Sequence, residues 1–351
     1  METRMLGSSE LRVGILGMGC WQFGGDSNSY WGDQSQKDVV EVVSMALDNG
    51  INYFDTAEMY NDGESERSLG LALKGRRHKA IIGTKIKPSN TKSKTLREHC
   101  EASLRRMQTD YIDLYMLHWP INAQSILHFS NDESLIADPP TVEEVFHTLK
   151  ELQQEGKVRY IGISNHGIEQ MEEVRKTGVQ VVANQLIYNL ICRAVETEIL
   201  PYCADHRIGV IGYMGLHQGI LSGKYRSLND IPQGRARSRH FHYSRDQGCR
   251  HGEEGAEIEL QQALNHIQEL ANDLGVSVST LSLAWALSNP KVATTICGCR
   301  DVRQLKSNLE AASYLLSPVV RDQLNVITAP LLHKLGDNPD YFENSGNRRI
   351  R

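Results

Sequence analysis

A series of short apolar runs, each the length of a strand, ends on polar or ionisable residues: INYFD at Asp55, AIIGTK at Lys85, YIDLYMLH at His118, YIGISN at Asn165, VVANQ at Gln185 and GVIGY at Tyr213. Amphipathic stretches separate them. Residues 36–49 place Val39, Val42, Val43, Ala46 and Leu47 on one helical face, with Gly50 as a stop signal. The same reading predicts helices over 65–74, 93–107, 141–155, 168–177, 196–206, 257–274 and 278–288. It predicts extended segments over 51–55, 79–85, 112–118, 158–164, 181–185, 209–213 and 293–296. Such alternation makes a parallel sheet wrapped by helices.

Two architectures satisfy that pattern. An open doubly wound sheet would announce its nucleotide site with a glycine-rich turn between the first strand and a helix directly after it. Gly17-Met18-Gly19-Cys20-Trp21 matches only in part, and the next helix lies far downstream. The spacing favours a closed (β/α)8 barrel, whose strands deliver their carboxyl ends to one mouth. Ile121 to Pro140, Arg226 to Glu254 and the tail from Pro330 break the rhythm and read as loops. The first two leave strand carboxyl ends and would overhang the mouth. Residues 1–330 are expected to form one barrel domain, with 331–351 as a C-terminal tail.

The formal net charge of -5 over 351 residues argues against a general nucleic-acid binder. No apolar run reaches bilayer-spanning length, and METRMLGSSELRVG lacks the apolar core of a signal peptide, so a cytoplasmic protein is expected. The seven cysteines are scattered, without C-x-x-C spacing, as suits a reducing compartment and no metal centre.

A barrel mouth brings Asp55, Tyr60, Lys85 and His118 together, and that set suits reduction of a carbonyl by hydride. Negative charge builds on the carbonyl oxygen, which needs a proton donor and fixed dipoles. Tyr60 can donate; the Lys85 ammonium would lower its pKa; Asp55 would hold the lysine; His118 can donate a further bond to the substrate oxygen. Each residue alone also has an ordinary structural role, and Lys85 could equally serve a Schiff-base lyase.

Several blocks carry a resemblance: Phe54-Asp55-Thr56-Ala57-Glu58-Met59-Tyr60 with Gly63-Glu64-Ser65-Glu66, Thr84-Lys85, Leu117-His118-Trp119 and Gly162-Ile163-Ser164-Asn165. In order, from about Met5 to about Ala312, they resemble the signature blocks of the aldo-keto reductase superfamily. That resemblance implies a TIM barrel with an N-terminal hairpin and long loops at the C-terminal face. It implies NADP(H) as the favoured cofactor, with NAD(H) an alternative, and the tyrosine as general acid.

The resemblance further implies that Ser164, Asn165 and Gln185 bond the nicotinamide carboxamide, that Tyr213 stacks on the ring, and that Cys20 and Trp21 lie close by. Leu216, Gly219, Ser222 and Lys224 would cover the pyrophosphate, although Met214-Gly215 stands where the family often has Ser-Pro. Gly298, Arg300, Gln304 and Asn308 would receive the adenosine end, with Arg300 on a 2'-phosphate. Trp21, Trp31 and Trp119 would wall a substrate pocket. The expected activity is reversible reduction of an aldehyde or ketone, with the His- and Arg-rich stretch 235–251 hinting at a sugar, polyol or phosphorylated substrate. A cofactor-binding regulatory subunit of the channel-associated type is the alternative.

Overall fold

The computed structural model describes all 351 residues, Met1–Arg351. An antiparallel hairpin comes first, β1 (Thr3–Met5) and β2 (Arg12–Gly14), with Thr3 opposite Gly14 and Met5 opposite Arg12. Eight parallel strands then close a barrel in the order β10-β3-β4-β5-β6-β7-β8-β9. These are β3 (Leu16–Gly19), β4 (Tyr53–Asp55), β5 (Ile81–Ile86), β6 (Ile112–Leu117), β7 (Val158–Ser164), β8 (Ala183–Ile187), β9 (Gly209–Tyr213) and β10 (Val292–Gly298). Apart from the one wrap-around pair, β10 with β3, each strand neighbours its sequence successor, as crossover helices on the outside require.

The hairpin plugs the barrel at the end opposite the mouth. Leu6, Leu11 and Val13 pack with Tyr53, Leu114, Met116, Val182 and Ile211 from the barrel interior. Arg4 fixes the hairpin to the turn that enters β10 by donating to the carbonyls of Leu287, Asn289 and Val292 at 2.7–2.9 Å. Helices shield the outer strand faces. One of them, Val142–Gln154, is capped by Thr141 Oγ1, which accepts from Glu144 N, and it buries Val145, Phe146, Leu149 and Leu152 against the sheet.

Two loop expectations need correction. The insertion 121–140 holds two short helices, Ala123–Phe129 and Glu133–Ala137, started by Asn122 and Asp132 side chains that accept from Ser125 N and Ser134 N. The tail begins later than expected, because a helix runs Pro318–Leu335 through Pro330. Leu324, Thr328, Leu331 and Leu335 form its buried stripe, while Pro330 lies on the exposed side, where water can take the carbonyl the ring frees. The stretch 226–254 contains only single helical turns, as expected of a loop. No helix is long and apolar enough to cross a membrane.

Candidate active site

The mouth opens into one cleft of about 660 Å³. On its floor Asp55, at the end of β4, pairs with Gly83 of β5, and Lys85 two residues on shares that face and reaches the carboxylate. Lys85 is wholly buried and donates to Asp55 Oδ1 at 2.7 Å, Asp55 Oδ2 at 2.8 Å, Thr56 O at 2.8 Å and Tyr60 Oη at 3.4 Å. Gln185 Nε2 reaches across the barrel to the same carboxylate at 2.7 Å. An ammonium has three hydrogens; with the carboxylate sharing one and Thr56 taking another, the third points at the phenol oxygen. The Tyr60 oxygen therefore accepts from Lys85, and its own proton is left to face the cleft.

The electrostatics correct one expectation. Burial pushes the Tyr60 phenol well above its ordinary value, and the Asp55 carboxylate adds to that. The lysine does not prevail, because burial of the phenolate, with the Asp55 charge added, outweighs one ammonium 3.4 Å away. Lys85 is pulled down by burial with Asp55 opposing; Asp55 is raised by burial with Lys85 and Gln185 opposing. His118 is held well below its ordinary value by burial and then by the Lys85 and Lys87 charges, so its ring is neutral near pH 7. Its Nδ1 is buried without a partner.

The backbone after Tyr60 is held in an unusual shape. Asn61, Asp62 and Gly63 follow with φ of 48°, 53° and 88°, three left-handed residues in succession. Asn61 Nδ2 secures them to the β3 loop, donating to Trp21 O at 3.0 Å and Phe23 O at 2.8 Å. Trp21 stacks on the Tyr60 ring at 5.5 Å, and Tyr30 stacks on Trp21 at 5.3 Å. Trp31 stands edge-on to both Trp21 and Tyr30.

Most of the expected cofactor residues line the same cleft: Trp21, Asp55, Ser164, Asn165, Gln185, Tyr213, Leu216, Gly219, Ser222, Lys224, Gly298, Arg300, Gln304 and Asn308. Asn165, itself at φ 59°, donates from Nδ2 to His118 O and Ser164 Oγ, both at 3.1 Å, and accepts from Tyr213 Oη at 2.8 Å. That network fixes the polar face of one wall. Trp31 and Trp119 also line the cleft.

Cys20 is the exception. It is buried behind the wall with its N–H donating to Asp55 O at 2.8 Å and its thiol directed to Met18 O, so Gly19 and Gln22 reach the cleft in its place. Gln22 Nε2 ties β3 to β10 through Gly19 O at 3.0 Å and Cys299 O at 2.9 Å.

The residues fit a dinucleotide. Gly219 has φ 90°, and a Cβ there would lie 3.1 Å from Lys224 Nζ and 3.8 Å from Arg235 Nη1, so bare backbone and two cations share one place. Arg300 donates from Nη1 to Trp31 O at 2.9 Å, and Arg235 lies 5.4 Å over the Trp31 ring. The Tyr30 hydroxyl sits 3.0 Å from Gln218 Oε1 and 2.9 Å from Gly234 O. The β3 loop and the β9 loop thus meet over the phosphate end. Behind the β9 loop, Cys192, His217, Ser238 and His240 form a buried chain, in which His240 Nε2 bonds Ile191 O at 2.8 Å and Cys192 Sγ lies 3.3 Å from His217 Nδ1.

Arg235, Arg237 and Arg250, from the His- and Arg-rich stretch singled out in the sequence, line the cleft, and sequence reading missed Phe129, Phe342, Glu343 and Arg349, which line it too. The last three come from the irregular tail. Their one signal was the charge of Arg349 near the basic end, which carries no period. The tail is built into the molecule: Asp340, Tyr341, Arg349 and Ile350 are buried, and Asn122 Nδ2 and Gln170 Nε2 both donate to Arg349 O, at 3.0 and 2.7 Å.

A model of the aldo/keto reductase family matches residues 15–328. Aldo-keto reductase YhdN of Bacillus subtilis (strain 168) is 32% identical over 339 residues, 93% of each chain. NADH-specific methylglyoxal reductase of Escherichia coli (strain K12) is 30% identical over 336 residues, 90% of this chain and 95% of that one. An aldo/keto reductase from Klebsiella pneumoniae, solved in complex with NADP and acetate, matches with a TM-score of 0.70 at 26% identity, over 96% of this chain and 98% of that one.

Proposed function

Because this chain belongs to the aldo/keto reductase family, we propose that it reduces an aldehyde or ketone to an alcohol with NADPH, reversibly, and that Tyr60 donates the proton. The observation that carries the reading is the hydrogen-bonded line from Gln185 through Asp55 and Lys85 to the Tyr60 hydroxyl at the floor of the cleft. The bound reduced nicotinamide supplies hydride. The chain supplies the rest.

Tyr60, kept un-ionised by burial, holds its proton at Oη until the carbonyl oxygen becomes basic enough to take it. Lys85 then stabilises the phenolate that remains, by direct contact at 3.4 Å. Asp55 keeps the amine in place and Gln185 keeps the carboxylate in place. His118, neutral, can donate one ring N–H to the same substrate oxygen, which orients the carbonyl without competing as an acid. Trp21 packed on the Tyr60 face restricts water and fixes the ring.

Ser164, Asn165 and Gln185 are suited to a carboxamide, and Lys224, Arg235 and Arg300 to phosphates. NADPH is favoured over NADH because Arg300 offers a second guanidinium nitrogen beyond the one held by Trp31 O. A lyase would need a free amine at Lys85, whereas this one is wholly buried with all its hydrogens engaged. The assembled proton line likewise favours turnover over a purely regulatory role.

The test is a panel of aldehydes, ketones and sugars with NADPH and NADH, and of alcohols and polyols with the oxidised cofactors, followed by nicotinamide absorbance. Stoichiometric conversion of carbonyl to alcohol supports the reading. Cofactor binding with no turnover anywhere on the panel would refute it.

A further inference from the structure

We propose that Arg349 forms a carboxylate-binding subsite, so that the preferred substrates are short aldehydes carrying a carboxylate at the other end. This rests on the reductase reading and deepens it. Arg349 lines the cleft, and its guanidinium lies 3.7 Å over the ring of Trp119, the residue next to His118. The side chain is 3% exposed. Nε and Nη2 donate to Asp340 at 2.9 and 2.8 Å, and the Arg349 backbone N–H donates to the same carboxylate at 3.1 Å. Nη1 donates to nothing in the chain.

That arrangement is costly unless it is used. A buried ion pair stabilises a fold less well than apolar residues of the same volume, and the unbonded Nη1 is not sealed in the interior but opens to the cleft. Here a fully buried guanidinium is clamped on two nitrogens, flattened on an indole and left with free donors at the edge of a reaction cleft. Its orientation is fixed before anything binds, which is what planar recognition of a carboxylate requires.

The charge of the ligand follows from the neighbours. Asp340 cancels the Arg349 charge to first order, and Arg250 is paired with Glu343 in the same wall. The subsite can hydrogen-bond a monoanion but has no spare positive charge for a dianionic phosphate. The other lining cations without a carboxylate partner sit with the β3 and β9 loops: Lys224 and Arg235 converge at Gly219, Arg237 lies over the Tyr30 ring and Arg300 donates to Trp31 O. Trp119 lies against the guanidinium, and Phe129 and Phe342 elsewhere on the lining add apolar surface suited to a short carbon chain.

The experiment compares kcat/KM for 4-oxobutanoate, its methyl ester and butanal, in wild type and in two variants. Arg349→Lys keeps a charge beside Asp340 but loses the planar fork. Asp340→Asn with Arg349→Gln removes both charges together, so no lone buried ion threatens the fold. Wild type is expected to favour the acid by on the order of tenfold to a hundredfold, the size of a hydrogen bond to a charged group, expressed mainly in KM. Both variants should lose that advantage while reducing butanal at nearly the wild-type rate. Succinate should compete with the aldehyde in wild type and fail to do so in the double variant.

Equal use of acid and neutral aldehydes by wild type, or an advantage that survives in both variants, overturns the subsite and leaves the reductase reading standing. So does a preference for glyceraldehyde 3-phosphate over glyceraldehyde larger than that for the acid. If NADPH-loaded protein reduces none of these compounds, the reductase reading falls and the subsite falls with it.

Discussion

Replacing Lys85 by Met asks how much of the chemistry depends on one ammonium. The amine lies 3.4 Å from the Tyr60 oxygen and is wholly buried. With an effective dielectric constant of about 20, a full negative charge on that oxygen would gain about 5 kcal/mol from the ammonium. If about half a charge has developed in the transition state, the loss is about 2–3 kcal/mol, or roughly a hundredfold in the rate of hydride transfer. The single variant also strands the Asp55 carboxylate, at about 3–5 kcal/mol, which is a large part of a typical domain's 5–15 kcal/mol. Asp55→Asn with Lys85→Met is therefore the variant to assay, since Gln185 can still donate to the new amide oxygen. Single-turnover oxidation of bound NADPH is the readout, with circular dichroism and cofactor fluorescence checking fold and binding. The reference is Asp55→Asn, which already removes the carboxylate's own repulsion of the phenolate; a folded, NADPH-binding double variant that turns over within fivefold of Asp55→Asn would refute the reasoning.

Other outcomes follow from the same structure. Arg300→Ala should raise the KM for NADPH relative to NADH by about tenfold, as loss of one charged hydrogen bond would; an unchanged ratio removes Arg300 from the phosphate end. His166 and His240 are both fully buried and lowered to about 4, His166 by burial and His240 by burial with Arg239 and His251 adding to it. His240 also faces His217, Cys192 and Tyr341. Between pH 6.5 and 4 the unfolded chain binds more protons at these sites, so stability is full above about pH 6.5 and falls as pH drops, by up to about 3 kcal/mol per histidine. Urea midpoints at pH 7 and 5 check this, and a midpoint that does not fall contradicts it. Gly70→Ala should destabilise by about 1–3 kcal/mol, because its Cβ would lie 2.5 Å from Met107 O on the neighbouring helix; the roughly 1 kcal/mol of helix propensity gained does not offset that. A raised melting temperature would count against the packing described.

How much of this was legible in the sequence depended on period. Asp55, Lys85 and His118 stood at the ends of apolar runs, and a closed parallel barrel converts strand ends into neighbours, so the site could be assembled before any coordinates. Cys20 was misplaced because one step along the pleat carries a side chain to the other face, and the run GMGCW does not say where the strand ends. The direction of the Tyr60 shift was missed for a different reason: the ammonium was visible as a residue, but the burial that outweighs it is a property of the packed site. The tail was read as a plain extension because Gly336 to Arg351 has neither helical nor strand period. What holds it is a set of single contacts, Arg349 to Asp340 and Gln170 to the Arg349 carbonyl, that leave no pattern in the chain. Pro330 hid the helix before it, since a proline reads as a stop even where it faces solvent.

The central claim is that the Tyr60 hydroxyl gives its proton to the carbonyl as hydride arrives. Single-turnover reduction of an aldehyde by pre-bound NADPH in Tyr60→Phe tests it most directly, because binding and product release are removed from the rate. The account predicts an NADPH affinity within about threefold of wild type and hydride transfer slower by on the order of a hundred- to ten-thousandfold, the range for loss of a general acid. A folded, NADPH-loaded Tyr60→Phe protein that reduces the aldehyde at close to the wild-type rate would contradict it.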